Sequence, residues 1–176
     1  MPSRDWIFDP ESLDYSKIVA DIEAIRLVNS QRGDMEHLTA IIHDDPLANT
    51  CVGYLDVSDK EFWIPGHMPG MPLMPGVIQC EAAAQVCSYH ALKHDLLGCD
   101  VMGFGALDKV KFRGAVLPGD RLTVACKLTK MRRGRIVVSI FQAFVGSNMV
   151  CEGEISGIAL PTEELRKFAA RKVSAG

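Results

Sequence analysis

This chain of 176 residues is long enough to form one domain with a sizeable core, because 48% of its residues are hydrophobic. The charged fraction of 23% and the formal net charge of −3 exclude a disordered or collagen-like chain and argue against nucleic acid as a partner. No stretch approaches the roughly 20 apolar residues that span a bilayer, and the first residues lack the apolar segment of a secretory signal. The six cysteines are scattered without a C-x-x-C pair, which is typical of reduced, buried thiols. We therefore expect a cytoplasmic protein with no membrane span.

The pattern divides the chain into an N-terminal arm with the first elements over residues 1–45, a core over 46–160 and a C-terminal tail over 161–176. In the arm, residues 1–16 show no period and predict an extended or loosely packed segment. Residues 17–28 have apolar positions three and four apart, which predicts a short helix. Strands are predicted over 38–42 and 51–57, on either side of a turn-type Asp-Asp-Pro sequence.

A loop rich in proline and glycine follows over residues 62–76. It holds four of the nine prolines, so it is neither a helix nor a central strand, yet many of its side chains are large and apolar. These two properties together predict a rigid, buried loop. The next residues, 77–94, contain no glycine or proline and are apolar on nearly every side, which predicts a long buried helix.

The rest of the core is predicted to be β-structure. Four stretches have the length and composition of strands, over residues 101–112, 120–131, 135–145 and 149–160. Their short connections require antiparallel pairing, because parallel pairs need long crossovers. The charged tail predicts a short helix or a frayed end. The expected fold class is α+β, with one long buried helix against an antiparallel sheet.

Two polar side chains stand out in these apolar surroundings. His67 lies in the loop that is predicted to be buried, and Glu81 lies on the helix between Cys80 and three alanines. A lone histidine is more often structural, and a glutamate on a helix is usually solvated, but burial of a charge without a partner is costly. Glu81 needs such a partner, and Gln85 one turn further along the helix could supply a hydrogen bond. We interpret His67 and Glu81 as candidate catalytic residues.

The start of the helix adds a third element. Gly76 precedes helix amides that have no partner within the helix and that carry the positive end of its dipole. Because Gly76 has no Cβ, a ligand oxygen can approach the backbone closely. This geometry is suited to holding and polarising a carbonyl group.

These residues carry a specific resemblance. The segment His67-Met68-Pro69-Gly70, continuing through Met74-Pro75-Gly76-Val77 to Glu81-Ala82-Ala83-Ala84-Gln85, resembles the signature of the (3R)-hydroxyacyl-[acyl carrier protein] dehydratases of type II fatty acid synthesis, including the step of 14 residues from histidine to glutamate. The strand-and-turn segments Leu107–Arg113 and Val116–Asp120 also resemble that family. The family usually has an aromatic residue where this chain has Met68, and residues 1–45 do not resemble its N-terminal segment, so the acyl chain length stays open.

The resemblance implies a hot-dog fold, in which an antiparallel sheet wraps the long helix. It also implies a homodimer that pairs His67 of one chain with Glu81 of the other, and such dimers commonly assemble into hexamers. His67 would remove a proton next to the thioester carbonyl, and Glu81, or a water that it holds, would protonate the leaving 3-hydroxyl. Substrate contacts are expected from Pro75, Gly76, Val77 and Gln85. No metal or redox cofactor is expected, because the substrate is carried on the phosphopantetheine of the acyl carrier protein.

Nine basic residues and one acidic residue lie between positions 109 and 135. They could form solvated strand faces, or they could form a docking surface for an anionic partner. Because acyl carrier proteins are acidic, the resemblance favours docking, with the candidates Lys109, Lys111, Arg113, Arg132 and Arg133.

Three alternatives remain at this level. His90 and His94 have a spacing that suits a metal, but without a third ligand nearby in sequence they are predicted to favour the negative end of the helix. A hot-dog acyl-thioesterase would also place a carboxylate on the helix, but it does not need His67. A non-catalytic acyl-carrier binding protein would need neither residue of the pair.

Overall fold

A computed structural model describes residues 6–173, and within the last helix it describes side chains only up to residue 167 and at residue 170. The first five residues of the predicted arm and the last three of the tail lie outside the described residues. The helices are α1 (Ile22–Arg26), α2 (Gly76–Lys93) and α3 (Thr162–Val173). The strands are β1 (Ala40–Asp45), β2 (Thr50–Asp56), β3 (Met102–Phe112), β4 (Arg121–Arg132), β5 (Ile136–Val145) and β6 (Asn148–Ala159).

The six strands form one antiparallel sheet in the order β1-β2-β4-β5-β6-β3. Helix α2 lies against the inner face of this sheet, and its three consecutive alanines, with Val86 and Cys87, belong to the main core. Small side chains along the helix allow the close approach of the strands. The predicted α+β fold with a long buried helix is confirmed.

The N-terminal arm covers part of the outer face of the sheet. Ile7, Phe8, Leu13 and Tyr15 pack against a second cluster of buried side chains on that face. The ring centroids of Trp6 and Phe144 are 5.1 Å apart. The arm is therefore a packed layer that buries the sheet from its second side.

The predicted helix over 17–28 is shorter than expected. Residues Val19 and Ala20 extend along β1, and both of their amides donate to the Ile41 carbonyl. The helix begins only after Asp21, whose Oδ1 accepts a hydrogen bond from the Ala24 amide at 2.9 Å. The helix therefore starts at the Asp21 cap, because Val19 and Ala20 pair with β1 although their apolar spacing is typical of a helix.

The prediction that the loop over 62–76 is buried within the chain is wrong for most of its residues. Trp63 and Met74 are buried and anchor the two ends, whereas Phe62, Met68 and Met71 are between 40% and 54% exposed. An exposed run of large apolar side chains is typical of a surface that another molecule covers.

Candidate active site

His67 is held by its own loop in a defined orientation. Its Nδ1 lies 2.7 Å from the Leu73 carbonyl oxygen, and the Leu73 amide donates back to the His67 carbonyl at 3.0 Å. A carbonyl oxygen only accepts, so Nδ1 carries the proton of the neutral ring and Nε2 keeps its lone pair. This is the arrangement of a general base.

An apolar groove of about 520 Å³ runs beside His67. Its lining is formed by His67, Leu73, Met74, Pro75, Gly76, Val77, Gln79, Phe112, Gly114 and Ala115. Three of the four predicted substrate-binding residues thus lie in the groove with the candidate base. The sequence analysis missed Gln79, which is 3% exposed and whose Oε1 has no hydrogen-bond partner among the described residues. The signal was present, since a glutamine on a buried helix needs a partner.

The start of α2 forms one wall of the groove. The amides of Ile78 and Gln79 donate to the Pro75 carbonyl, and the described residues offer no acceptor for the amides of Gly76 and Val77. A Cβ at Gly76 would lie 2.7 Å from the Phe112 ring, so glycine is required here for the ring to close over the helix start. The free amides and the ring form a place for a carbonyl oxygen with an apolar chain attached.

Glu81 is half-buried and is held by two amide side chains. The Nε2 atom of Gln85 donates to its Oε1 at 2.8 Å, and the Nε2 atom of Gln31 lies 3.4 Å from the same oxygen. The expected hydrogen bond from Gln85 is therefore present. Gln31, from the segment after α1, was missed because nothing in its sequence context connects it with the helix.

Both polar atoms of the Gln85 side chain take part in this hydrogen-bond network. Its side chain is almost fully buried, and its Nε2 donates to the Met35 carbonyl at 2.8 Å as well as to Glu81. Its Oε1 accepts from the His37 amide at 2.9 Å. Among the described residues, neither Gln85 nor Glu81 lines the groove of His67. Gln85 therefore positions Glu81 in this chain, and the predicted pair of His67 and Glu81 does not meet in one groove of one chain.

Comparison with known proteins now identifies the family. The model of the FabA-like domain matches residues 29–154, which is most of the chain. The chain belongs to the FabA-like family. It is 39% identical over 104 residues to the 3-hydroxyacyl-[acyl-carrier-protein] dehydratase FabZ of Moorella thermoacetica, covering 59% of this chain and 72% of that protein. The corresponding dehydratase of Clostridioides difficile is 38% identical with the same coverage.

Solved structures show that the FabA-like chain has the hot-dog fold. The dehydratase heterocomplex of Xenorhabdus doucetiae superposes with a TM-score of 0.68 at 14% identity, covering 82% of this chain and 96% of that one. A hypothetical thioesterase from Streptococcus pneumoniae, solved with coenzyme A, has a TM-score of 0.52 at 11% identity, covering 68% and 84%. Within the described residues, no helix of the FabA-like chain is long and apolar enough to span a membrane.

The five basic docking candidates of this FabA-like chain fall into two places. Lys109, Lys111 and Arg113 lie at the end of β3 that carries Phe112 and the groove. Arg132 and Arg133 lie at the hairpin between β4 and β5. The strand register aligns Arg132 with Gly103, at the far end of β3. Gly103 is eight residues from Lys111 along β3, and β4 is three strand spacings from β3. Arg132 therefore lies about 25 Å from Lys111 along the sheet and about 14 Å across it.

Most of these charges already have partners. Lys109 lies 3.9 Å from Glu154, and Arg113 pairs with Glu152. Arg133 pairs with the Asp95 side chain and packs against Gly98. The prediction that the basic stretch forms one docking surface is therefore not met within a single chain, because the hairpin and the β3 end project from opposite ends of the sheet.

His37 is a buried histidine close to the Glu81 network. It is 1% exposed, and neither of its ring nitrogens has a hydrogen-bond partner among the described residues. Burial lowers the pKa of His37 below its ordinary value of 6.5, and this effect exceeds the opposing attraction of Glu81 and Glu61. The neutral ring is thus the form that the fold accommodates.

We expect the His37→Leu substitution to reduce the loss of stability at acid pH. Since the folded state binds the proton of His37 less readily than the unfolded state does, stability falls as the pH drops through 6.5 toward the lowered pKa. Urea unfolding between about pH 7.5 and pH 5.5 should show a smaller decrease in the free energy of unfolding for His37→Leu than for the wild type. An equal decrease in both proteins would contradict this assignment, and His43→Leu is the control for a half-buried histidine.

Proposed function

We propose that His67 and Glu81 carry out the acid–base steps of dehydration. By family this chain is a 3-hydroxyacyl-[acyl-carrier-protein] dehydratase, which forms the trans-2-enoyl thioester in fatty acid biosynthesis. Nε2 of His67 removes a proton from the carbon next to the thioester carbonyl, and the C–O bond at carbon 3 breaks as the double bond forms. Glu81, or a water that it holds, supplies the proton with which the hydroxyl leaves as water. The observation that carries the proposal is the hydrogen bond from Nδ1 to the Leu73 carbonyl, which leaves Nε2 of His67 as a base beside an apolar groove.

The amides at the start of α2 complete the proposed mechanism. The amides of Gly76 and Val77 would bind the thioester oxygen, on which negative charge develops when the proton is removed. The acyl chain would occupy the apolar groove under Phe112. All these groups belong to the protein, and the thioester is carried on the phosphopantetheine of the acyl carrier protein, so the steps require no cofactor.

A homodimer would bring the two catalytic residues together. Strand β3 pairs with β6 on one side and forms the edge of the sheet on the other, where Phe104 and Leu107 are more than 40% exposed. A long edge strand with apolar side chains is a template for pairing with a second copy. Val77, which lines the groove, is 72% exposed and would lie in the same interface. We propose that Glu81 of one chain enters the groove of His67 in the other chain. Light scattering will show whether the dimers assemble into hexamers.

The reaction is tested by incubating the protein with two carrier-linked thioesters, a (3R)-hydroxyacyl and a saturated acyl substrate. We expect an enoyl product with its ultraviolet absorbance from the first substrate and no thiol release from the second. Thiol release from the saturated substrate would instead indicate an acyl-thioesterase. This is the alternative function, because the fold neighbour from Streptococcus pneumoniae is described as a hypothetical thioesterase. Tight binding of the carrier without any turnover would indicate a non-catalytic binding protein.

Docking of the carrier protein is proposed at Lys109, Lys111 and Arg113, because they lie at or next to the end of β3 that carries Phe112, one of the groove residues. Arg132 and Arg133 then serve as distant controls. Lys111→Glu should raise the KM for a carrier-linked substrate roughly 3- to 10-fold and leave a small thioester mimic unaffected. Arg132→Glu should change neither value. The docking proposal fails if Lys111→Glu affects both substrates equally or if Arg132→Glu matches its effect on the carrier-linked substrate.

A cytoplasmic location is part of the proposal. It is supported by the carrier-bound substrate and by the six free thiols, which are typical of a reducing compartment.

A further inference from the structure

A cluster of possible metal ligands lies outside the groove, between the last turns of α2 and the strands β1 and β2. Nδ1 of His90 lies 2.6 Å from Oδ1 of Asp44, and Nε2 of His94 lies 2.7 Å from its Oδ2. The thiol of Cys51 completes the cluster, since the ligand atoms of Asp44, Cys51 and His90 all lie within 4.8 Å of one another. None of these residues takes part in the proposed dehydration.

A bulge in β1 is the reason that Asp44 faces the helix. Ile41 packs in the main core beneath α2, whereas Ile42 packs on the outer face. The register shifts between Ile41 and His43, so His43 contacts Phe8 of the arm and the next residue returns to the inner face. Asp44 is then the direct cross-strand partner of Cys51, and such partners point to the same face of a sheet.

The helix supplies the other two side chains. His90 and His94 are four residues apart, and this spacing places both on one face of a helix. The side chains of His90, Asp44 and His94 are 2%, 5% and 24% exposed, respectively, and Cys51 is fully buried. Only His94 reaches solvent, so an ion entering the cluster would do so past the end of α2.

The buried groups of the cluster are of the kinds that bind a metal ion. Both oxygens of the Asp44 carboxylate already face imidazole nitrogens, Oδ1 facing His90 and Oδ2 facing His94. The Cys51 thiol lies within 4.8 Å of the ligand atoms of Asp44 and His90. Nδ1 of His90 is the nitrogen that faces the cluster, and its Nε2 is buried without a hydrogen-bond partner among the described residues.

We propose that Asp44, Cys51, His90 and His94 form a structural zinc site. Two imidazoles, one carboxylate and one thiolate are the ligand types of tetrahedral zinc and are poorly suited to magnesium or calcium. Ligands about 2.0–2.1 Å from a tetrahedral metal lie about 3.3 Å apart, so the pair of His90 and Asp44 has to open by about 0.7 Å. His94, which contacts the other carboxylate oxygen, has to turn toward the same ion. When zinc binds Nδ1 of His90 and Nε2 of His94, the proton of each neutral imidazole moves to its other ring nitrogen, and the Cys51 thiol loses its proton as the thiolate binds the metal. Four protein ligands close the site, and it stabilises the fold without taking part in catalysis.

The first test uses the wild-type chain without a polyhistidine tag. We expect elemental analysis to find about one zinc per chain, and removal of the metal with a chelator to lower the thermal midpoint. Adding zinc back at about 100 times its Kd should raise the midpoint by about 5–10 °C. Cobalt in place of zinc should give the visible bands of a tetrahedral site and a sulfur-to-cobalt charge-transfer band, and Cys51→Ser should lose the charge-transfer band.

The second test compares two histidine variants. His94 lies at the end of α2 and is the most exposed ligand, so His94→Ala should still fold, as circular dichroism will check, and should bind zinc at least about 100-fold more weakly. His43→Ala, next to Asp44 but on the other face, should bind zinc like the wild type. The proposal is overturned if the untagged protein binds no zinc when it is added, if zinc leaves the thermal midpoint unchanged, or if His94→Ala binds as tightly as His43→Ala. Any of these results would leave Asp44, His90 and His94 as a hydrogen-bonded cluster, and dehydration would be unaffected by that outcome.

Discussion

His67→Asn and Glu81→Gln should each lower kcat for dehydration by about 10²- to 10⁴-fold, the range in which removal of a general acid or base usually falls. Asparagine can still donate to the Leu73 carbonyl, so His67→Asn keeps the loop contact but loses the basic nitrogen. Glutamine at position 81 can still accept from Gln85 but cannot supply the proton in the same way. Rates are measured from the enoyl product, with a carrier-linked (3R)-hydroxyacyl substrate.

Two controls separate chemistry from folding in this experiment. His43→Asn and Glu23→Gln change the same residue types away from the groove and should keep wild-type rates. Thermal midpoints of the two catalytic variants should lie within a few degrees of the wild type. Full activity in either correctly folded variant would remove that residue from the proposed mechanism.

Co-expression of His67→Asn chains with Glu81→Gln chains should restore activity that neither variant has alone. If each site takes His67 from one chain and Glu81 from the other, a mixed dimer contains one fully wild-type site and one doubly altered site. Random pairing then restores about one quarter of the wild-type activity, since half of the dimers are mixed and half of their sites are intact. This expectation comes from the family resemblance and is supported by the single chain, in which Glu81 is held by Gln31 and Gln85 and does not line the groove of His67.

The clearest measurement is the dehydration activity of purified mixed dimers that carry a different affinity tag on each chain. About half of the wild-type activity is expected for them, because one of the two sites is intact. If the purified mixed dimers have no more activity than the parent variants, both residues act within one chain, and the proposed sharing of sites is wrong.

Most of the fold could be predicted from local sequence. The helix predicted over residues 77–94 is observed at Gly76–Lys93, because a run without glycine or proline that is apolar on all sides has few other solutions. The bounds of the four C-terminal strands were also predicted closely, and turns of two or three residues make β4, β5 and β6 antiparallel neighbours. The expected pairing of β3 with the next strand, β4, was wrong, because a connection of eight residues lets β3 cross over to pair with β6. The helix predicted over residues 17–28 is longer than the observed α1. Its first residues pair with Ile41 at the edge of the sheet instead, and a local sequence pattern does not reveal such a distant contact.

The candidate site was predictable in its residues and less so in its surroundings. His67, Pro75, Gly76 and Val77 were expected together and line one groove. Gln31 was missed because it reaches Glu81 from 50 residues away along the chain. The basic stretch was taken as one surface because its residues are close in sequence, but the long strands β3 and β4 carry its two ends to opposite ends of the sheet.

The sequence by itself therefore determined the long helix, the antiparallel strands and a motif that joins a base, free helix amides and a carboxylate, since each of these depends on residues near one another in the chain. Only the tertiary structure decided which partners those residues have. It assigned Gln85 to Glu81, separated Glu81 from the groove of His67 within one chain, and turned Asp44 rather than His43 toward His90. The physical reason is that register, bulges and packing across the sheet are set by contacts between distant segments, and one extra residue in a strand is enough to exchange the side chains on its two faces.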